Sequence, residues 1–340
     1  MNEAKFKAQN VMANLLGELS ERSRDVIVSR FGIGKDKYET LEAIGQRYGI
    51  TRERVRQIEA DALRHIKDQK RDAVIQPISS ALERFINLKG GVVDEETLTT
   101  EFASSFFNDA EGGSRGLTGL ILAVDGRFKR SPVTDEFATR WYVDAPALKN
   151  QERVLNQLAS NLKSSGKVVD ETQLLKMAGT DSVGESVVRN YLAASKVISK
   201  NVYGQWGLAD WAEIRPRGVK DKAYLVMKKE GKPLHFREVA GLINKSEFSS
   251  RSALAQTVHN ELIKDKRFVL VGRGLYALNE WGFREGTVKD VISRVLKEKG
   301  PLAKNELLKA VLAERFVKPS TVILNLNAFK KTSDNRYTLA

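Results

Sequence analysis

The sequence predicts a mainly α-helical protein in which a helix-turn-helix is followed by an array of winged-helix units, each with a small β wing. The first observation is a pair of predicted helices within residues 40–67, separated by a tight turn at Tyr48-Gly49-Ile50. The second is an internal repeat, in which an aromatic residue precedes an aliphatic residue by two positions at intervals of roughly 60–75 residues. The four copies are Trp141-Tyr-Val143, Trp206-Gly-Leu208, Tyr276-Ala-Leu278 and Tyr337-Thr-Leu339.

The two predicted helices begin at threonines and are separated by a glycine. Thr40 and Thr51 suit N-cap positions, because a side-chain oxygen there accepts a hydrogen bond from a free backbone N–H. Gly49 allows the positive φ that a short bend between helices requires. The apolar residues of the second helix recur at helical spacing and are expected to pack inward, namely Val55, Ile58, Ala62 and Ile66.

The opposite face of the second helix carries residue types that read DNA base edges. Arg52, Glu53, Arg56 and Gln57 share this face. Arginine forms hydrogen bonds with guanine, glutamine forms them with adenine, and glutamate accepts a hydrogen bond from cytosine. A helix with this face therefore suits the major groove of DNA. Arg54 points elsewhere and suits a phosphate or a protein partner. The alternative is an ordinary solvated face of an amphipathic helix.

Three stretches of the N-terminal segment closely resemble region 4 of primary bacterial sigma factors, and the resemblance covers about residues 5–70. They are Leu19–Ile33, Thr40–Gly45 and Thr51–Glu59. The resemblance implies recognition of a −35 promoter element, base contacts by the four residues above, and docking on the β flap of RNA polymerase. It also implies phosphate contacts by Arg22 and Arg30, and we assign further phosphate contacts to Thr40, Thr51 and Arg54. Because the resemblance begins so early in the sequence, we expect no promoter-melting region ahead of it.

The remaining sequence repeats a layout of three helices followed by a hairpin, most clearly in residues 219–282. Pro233–Ala240 and Arg273–Leu278 in this segment resemble the HARE-type winged helix, a family that includes the delta subunit of some bacterial RNA polymerases. Arg273 lies between two glycines at the predicted wing tip, so it suits either a DNA minor-groove contact or a solvated turn. The sequence therefore predicts five domains, at residues 1–72, 73–148, 149–217, 218–284 and 285–340.

Composition limits the classes of function. Lys and Arg outnumber Asp and Glu by 56 to 43, giving a net charge of +13 that attracts polyanions. The sequence has no cysteine and three scattered histidines, so it predicts no thiol chemistry and no clustered metal site. We expect no cofactor, no small-molecule ligand, no membrane span and no enzymatic activity.

Together these patterns predict a cytoplasmic, nucleoid-associated transcription protein that recognises −35-like double-stranded promoter DNA and contacts RNA polymerase through its β flap. One alternative is a polymerase accessory subunit, in which the sigma-like module docks protein rather than DNA. A second is a DNA-processing or restriction-associated component, for which Asp170-Glu171 with Lys176 is the candidate metal site. The sequence leaves open whether the protein activates or represses, its exact DNA site and its oligomeric state. It also leaves open the fold of residues 73–148 and which winged-helix units bind DNA rather than protein.

Overall fold

The computed structural model describes residues 5–35, 37–69, 74–108, 113–179, 183–246, 248 and 252–339. The chain folds into two compact units. The first comprises Met1–Lys200 with Gln205–Ala209, and the second comprises Asn201–Gly204 with Asp210–Ala340. Within the described residues, no helix combines the length and the apolar character needed to cross a bilayer.

The first unit begins with a helical module that contains the predicted helix-turn-helix. Its elements are β1 (Phe6–Lys7), α1 (Ala8–Leu16), α2 (Glu21–Phe31), α3 (Leu41–Tyr48) and α4 (Arg52–Gln69). Ser20 caps α2 by accepting a hydrogen bond from the Ser23 N–H, and Gly32 ends α2 with a φ of 65°. The helix pair predicted within residues 40–67 is thus formed by α3 and α4.

The next segment of the first unit has the element order of a winged helix. It contains α5 (Gln76–Leu88), β2 (Val92–Asp94), α6 (Glu95–Thr97), α7 (Ala103–Phe106), β3 (Phe107–Asn108), α8 (Ser114–Val124), β4 (Lys129–Ser131) and β5 (Arg140–Tyr142). A π-helical turn at Leu98–Phe102 joins α6 to α7. Strands β2, β5 and β4 form an antiparallel wing in that order, while β3 pairs in parallel with β1.

Helix α8 packs against the helix-turn-helix module, and the two segments share one hydrophobic core. Leu117 of α8 belongs to the same buried cluster as Ile27 of α2 and Ile66 of α4. A Cβ atom at Gly116 would lie 2.7 Å from the Phe31 carbonyl oxygen, so glycine permits this close approach. The predicted boundary at residues 72 and 73 falls outside the described residues, and the five-domain division stays a prediction.

The last segment of the first unit consists of three helices followed by two wing strands. It contains α9 (Ala145–Ser165), α10 (Glu171–Met177), α11 (Glu185–Ala193), β6 (Ile198–Lys200) and β7 (Trp206–Leu208). The Asn190 side-chain amide on α11 donates hydrogen bonds to the carbonyls of Lys89 and Val92, at 2.8 and 2.7 Å. Gly90 has a φ of 93°, and a Cβ there would overlap the Val187 side chain. This glycine therefore serves close helix packing.

The second unit begins with a winged helix, whose elements form the layout of three helices and a hairpin predicted for residues 219–282. They are α12 (Val219–Glu230), β8 (Leu234–His235), α13 (Phe236–Lys245), α14 (Ala255–Lys264), β9 (Phe268–Gly272) and β10 (Leu275–Leu278). The strands form an antiparallel sheet in the order β8-β10-β9. Val226, Val239 and Val258 bring α12, α13 and α14 into one core, which Tyr276 of β10 completes.

The second unit ends with three helices and a short wing, as the repeat predicts. The elements are α15 (Val288–Lys299), α16 (Lys304–Glu314), α17 (Pro319–Leu326), β11 (Lys330–Lys331) and β12 (Tyr337–Thr338). Thr287 caps α15 in a reciprocal pair of hydrogen bonds with Asp290. Val291, Leu307 and Val322 contribute the core between the helices.

Three of the four repeated wing aromatics belong to the hydrophobic cores of their segments. Trp141, Tyr276 and Tyr337 are all buried, and Trp206 is half-buried. The Trp141 indole N–H donates to the Glu95 carboxylate at 3.1 Å. The three buried rings hold their wings against the helices and are not presented for stacking on nucleic acid bases.

Candidate nucleic-acid interface

The turn between α3 and α4 is tight because two glycines permit it. Gly49 ends α3 with a φ of 64°. A Cβ at Gly45 would lie 2.8 Å from the Ile50 carbonyl oxygen, so a larger residue at Gly45 would push the two helices apart. Thr51 then caps α4, since its hydroxyl oxygen accepts a hydrogen bond from the Arg54 N–H at 3.2 Å.

A small core behind α4 fixes which face of the helix meets solvent. Val26, Ile44 and Val55 are completely buried and belong to α2, α3 and α4 respectively. Ala62 and Ile66 are buried further along α4, and Ile58 is half-buried, so the predicted inward stripe is confirmed. The residues on the other side of the first two turns are all exposed, namely Arg52, Glu53, Arg54, Arg56 and Gln57.

Hydrogen bonds along α4 preorganise this exposed face. The Arg56 guanidinium donates to both carboxylate oxygens of Glu53, with N–O distances between 2.7 and 3.1 Å. The hydrogen bond from Arg56 holds the pKa of the Glu53 carboxyl below its usual range. The Arg54 guanidinium donates to the Gln57 side-chain oxygen at 3.0 Å. Each arginine is thus held beside a polar neighbour with its donors along the helix surface.

An open cleft lies beside the start of α4. Its volume is about 520 Å³, and its walls include Glu42 and Gln46 of α3 together with Thr51, Arg52 and Arg54. Free backbone N–H groups and the helix dipole make the N-terminus of a helix favourable for anions. Two arginines beside that terminus add formal positive charge, so the cleft suits a phosphate group of a DNA backbone.

The remaining residues predicted to contact phosphate lie in different environments. Arg22 is exposed on α2, with its guanidinium 5.2 Å from the centre of the Tyr48 ring. Thr40 is exposed and caps α3 by accepting from the Ala43 N–H. Arg30 is half-buried, because it forms an ion pair with Glu59 at 3.2 Å and donates to the Glu39 carbonyl at 2.8 Å. Arg30 therefore joins α2 to α4, and a phosphate contact by Arg30 stays a prediction.

A polar network between α2 and α3 was missed by the sequence reasoning. The Arg47 guanidinium forms an ion pair with Asp25 at 2.8 Å and donates to the buried Ser29 hydroxyl at 2.9 Å. The Tyr48 hydroxyl donates to Asp25, and this hydrogen bond raises the pKa of Tyr48. The network orients α3 on α2 and so sets the angle at which α4 is presented. No local pattern in the sequence signals these pairings across the two helices.

Arg273 lies apart from this face, in the second unit. It occupies the turn between β9 and β10 and is exposed. Gly274 follows it with a φ of 70°, and a Cβ there would lie 2.6 Å from the His235 ring. The glycine allows the turn to pack closely on β8 while Arg273 projects into solvent, as expected for a wing tip.

Comparison with known protein families identifies two segments of the chain. Residues 15–68 match the family described as Sigma-70, region 4. Residues 217–281 match the HARE-HTH family, whose description includes the restriction endonuclease HTH domain. The chain is therefore mainly α-helical, with a sigma region 4 helix-turn-helix at one end and a HARE-type winged helix further along.

Curated relatives match the N-terminal segment. RNA polymerase sigma factor SigA of Microcystis aeruginosa is 45% identical over 65 residues, which are 19% of this chain and 16% of that protein. SigA of Synechocystis sp. is also 45% identical over 65 residues, covering 19% of this chain and 15% of its own length. RNA polymerase sigma factor RpoS of Coxiella burnetii is 46% identical over 59 residues, which are 17% of each protein. The chain thus spans about a sixth of the length of these relatives.

Proposed function

We propose that the protein is a transcription initiation or regulatory protein that binds −35-like double-stranded promoter DNA through α4. The observation that carries this proposal is the exposed face of Arg52, Glu53, Arg56 and Gln57 on the first two turns of a helix that is capped and packed from behind. A helix presented in this way places several base-reading groups together in a major groove.

Phosphate contacts position the protein in this proposal, and base contacts supply specificity. Arg22 and the cleft formed by Thr51, Arg52 and Arg54 would hold the DNA backbone on either side of α4. Arg56 would release Glu53 and donate hydrogen bonds to O6 and N7 of a guanine. The Glu53 carboxylate would then accept a hydrogen bond from N4 of a cytosine. The net charge of +13 adds long-range attraction for DNA.

We also propose RNA polymerase as a protein partner, because the relatives of the N-terminal segment are RNA polymerase sigma factors. Docking on the β flap is the specific form of this proposal. Helix α8 covers the apolar rear of the module, where Gly116 approaches Phe31 and Ile33, so docking would have to use another surface. Co-purification of the full chain with a β-flap fragment tests this contact, and failure to bind would leave DNA recognition as a separate function.

The DNA-processing alternative has less support in the geometry. The Asp170 carboxylate caps α10 by accepting from the Gln173 N–H at 2.8 Å. Glu171 forms an ion pair with Arg189 at 2.6 Å. Both acidic residues therefore have structural partners, and among the described residues no cluster suits a metal ion.

The experiment that tests DNA recognition compares a fluorescent duplex carrying a TTGACA box with a scrambled duplex. Arg56→Ala is expected to weaken box binding by about 1–3 kcal/mol and to leave scrambled-duplex binding nearly unchanged. Arg64→Ala provides a matched control, since Arg64 lies on the same helix and pairs with Asp61 three residues earlier at 3.1 Å. Equal weakening on both duplexes would remove the direct-readout role. Failure of the wild-type chain to prefer the box would support the accessory-subunit alternative.

A further inference from the structure

The helices that directly precede the wing hairpins differ in their exposure to solvent. Helix α8 is buried against the helix-turn-helix module, and α11 packs on the turn that follows α5. Helix α14 has a mixed exposed face, on which Gln256, Asn260 and Lys264 accompany Ile263. Helix α17 is also exposed, yet its outward positions carry no charged side chain. They are Pro319, Ser320, Ile323 and Leu324, followed just beyond the end of the helix by Asn327 and Ala328.

The exposed face of α17 is apolar at its centre. The Leu324 residue is 71% exposed and Ile323 is 38% exposed, whereas Val322 and Leu326 are buried on the inner side of the same helix. Two adjacent aliphatic side chains exposed on a short helix are more typical of a surface that binds a partner than of a surface that contacts only solvent. The face is about three helical turns long, including the turn that leads into β11.

Basic residues flank α17 in the sequence. Lys318 directly precedes α17, and Lys330 and Lys331 form β11 immediately after the turn that follows it. Arg336 lies on the same wing, and Asp334 is the single acidic residue between positions 316 and 339. The whole segment 285–340 contains eleven Lys and Arg residues against six Asp and Glu residues. The segment that carries the apolar face therefore has a net positive charge.

We propose that α17 and its wing form a docking surface for a protein segment that presents two or three apolar side chains flanked by carboxylates. The aliphatic pair would bury against the partner's apolar residues, and the lysines would face its carboxylates. A second copy of this chain is disfavoured because two such positive surfaces would repel each other. DNA is disfavoured because the centre of the helix lacks groups that hydrogen-bond base edges.

The probe is a fluorescent synthetic peptide that forms an amphipathic helix with leucines on one face and glutamates beside them. Its control is the same peptide with every glutamate replaced by lysine. The full chain is expected to bind the acidic peptide, and an Ile323→Ser/Leu324→Ser double variant to bind it about ten- to a hundredfold more weakly. Leu88→Ser is the matched control, because Leu88 is 80% exposed at the end of α5 in the other unit. Lys330→Ala with Lys331→Ala should weaken binding and reduce its dependence on salt.

Three outcomes would overturn the proposal. The first is that the acidic peptide fails to bind, or binds the double variant and the wild-type chain equally. The second is that the double variant loses affinity for DNA while DNA displaces the peptide, which would make α17 a DNA surface. The third is a wild-type dimer in light scattering that the double variant abolishes, which would identify a second copy as the occupant. Unchanged thermal unfolding of the double variant confirms that both exposed substitutions leave the fold intact.

Discussion

Two glycines on α8 allow a direct test of how this helix supports the DNA-binding module. At Gly116, an added Cβ would lie 2.7 Å from the Phe31 carbonyl oxygen and 2.9 Å from the Ile33 Cα atom. At Gly119, one turn further on, the nearest atom would be the Phe31 ring carbon at 3.5 Å, an ordinary van der Waals contact. Gly116→Ala therefore inserts a methyl group against rigid backbone, and Gly119→Ala inserts the same group into available space.

The two substitutions are expected to change stability in opposite directions. Replacing glycine by alanine within a helix stabilises the folded state by roughly 0.5–1 kcal/mol, and this gain applies at both positions. Overpacking against neighbours that cannot move costs about 1–3 kcal/mol, and this cost applies at Gly116 alone. We expect Gly119→Ala to stabilise the first unit by up to about 1 kcal/mol and Gly116→Ala to destabilise it by about 1–2 kcal/mol.

Hydrogen exchange measured by mass spectrometry on the full chain is the suitable assay, because it reports the local opening of α2 and α4 separately from the second unit. Gly116→Ala should speed exchange in peptides from both helices, and Gly119→Ala should slow it. If Gly116→Ala slowed hydrogen exchange as much as Gly119→Ala, this result would contradict the close packing of α8 against the module.

Two further predictions concern the second unit. Arg273→Ala is expected to lower the salt dependence of DNA binding by about one phosphate contact and to leave sequence preference intact; an unchanged salt slope would assign Arg273 to a solvated turn. Hydrogen bonds from Arg267 hold the pKa of the Asp265 carboxyl below its ordinary value. The ionised carboxylate therefore stabilises the folded state above about pH 4, and this contribution is lost as the pH falls through the lowered pKa. The free energy of unfolding measured in urea between pH 7 and pH 3 should therefore depend less on pH in Arg267→Met than in the wild-type chain. An equal dependence on pH in the two proteins would contradict this prediction.

Much of the fold could be predicted because the signals are local. The inward stripe of α4 has helical spacing, and Gly49 and Thr51 mark the turn and the start of the next helix. The wing strands were predicted from alternating aromatic and aliphatic residues, and in the second unit they lie within one or two residues of the expected positions. These features depend on neighbours within a few residues, which one sequence displays.

A second repeat was available in the sequence and was missed. Asp125-Gly-Arg-Phe128 and Asp265-Lys-Arg-Phe268 occupy equivalent positions where the wing strands of two segments begin. In each, the arginine donates to the aspartate two residues earlier, and it reaches an acidic residue on the first helix of the same segment. These acidic partners are Glu83 on α5 for Arg127 and Asp221 on α12 for Arg267. The motif therefore fastens each wing to its first helix.

The environments of individual arginines could not be predicted in the same way. Arg30 occupies a motif position that implies a phosphate contact, yet its ion-pair partner Glu59 lies 29 residues away on α4. Arg47 likewise reaches Asp25 and Ser29 on another helix. Such pairings follow from the packing angle between helices, which a single sequence does not encode locally. The burial of α8 and α11 has the same origin, since it depends on contacts between segments.

Whether α4 reads bases can be measured by substituting each base pair of the TTGACA box in turn. Binding free energies of the wild-type chain, Arg56→Ala and the Arg64→Ala control would be measured on every substituted duplex at one salt concentration. Loss of discrimination at a single base pair in Arg56→Ala, with the other preferences kept and Arg64→Ala resembling wild type, is the predicted result. A uniform loss of affinity across all duplexes in Arg56→Ala would contradict base reading and leave α4 with a purely electrostatic role.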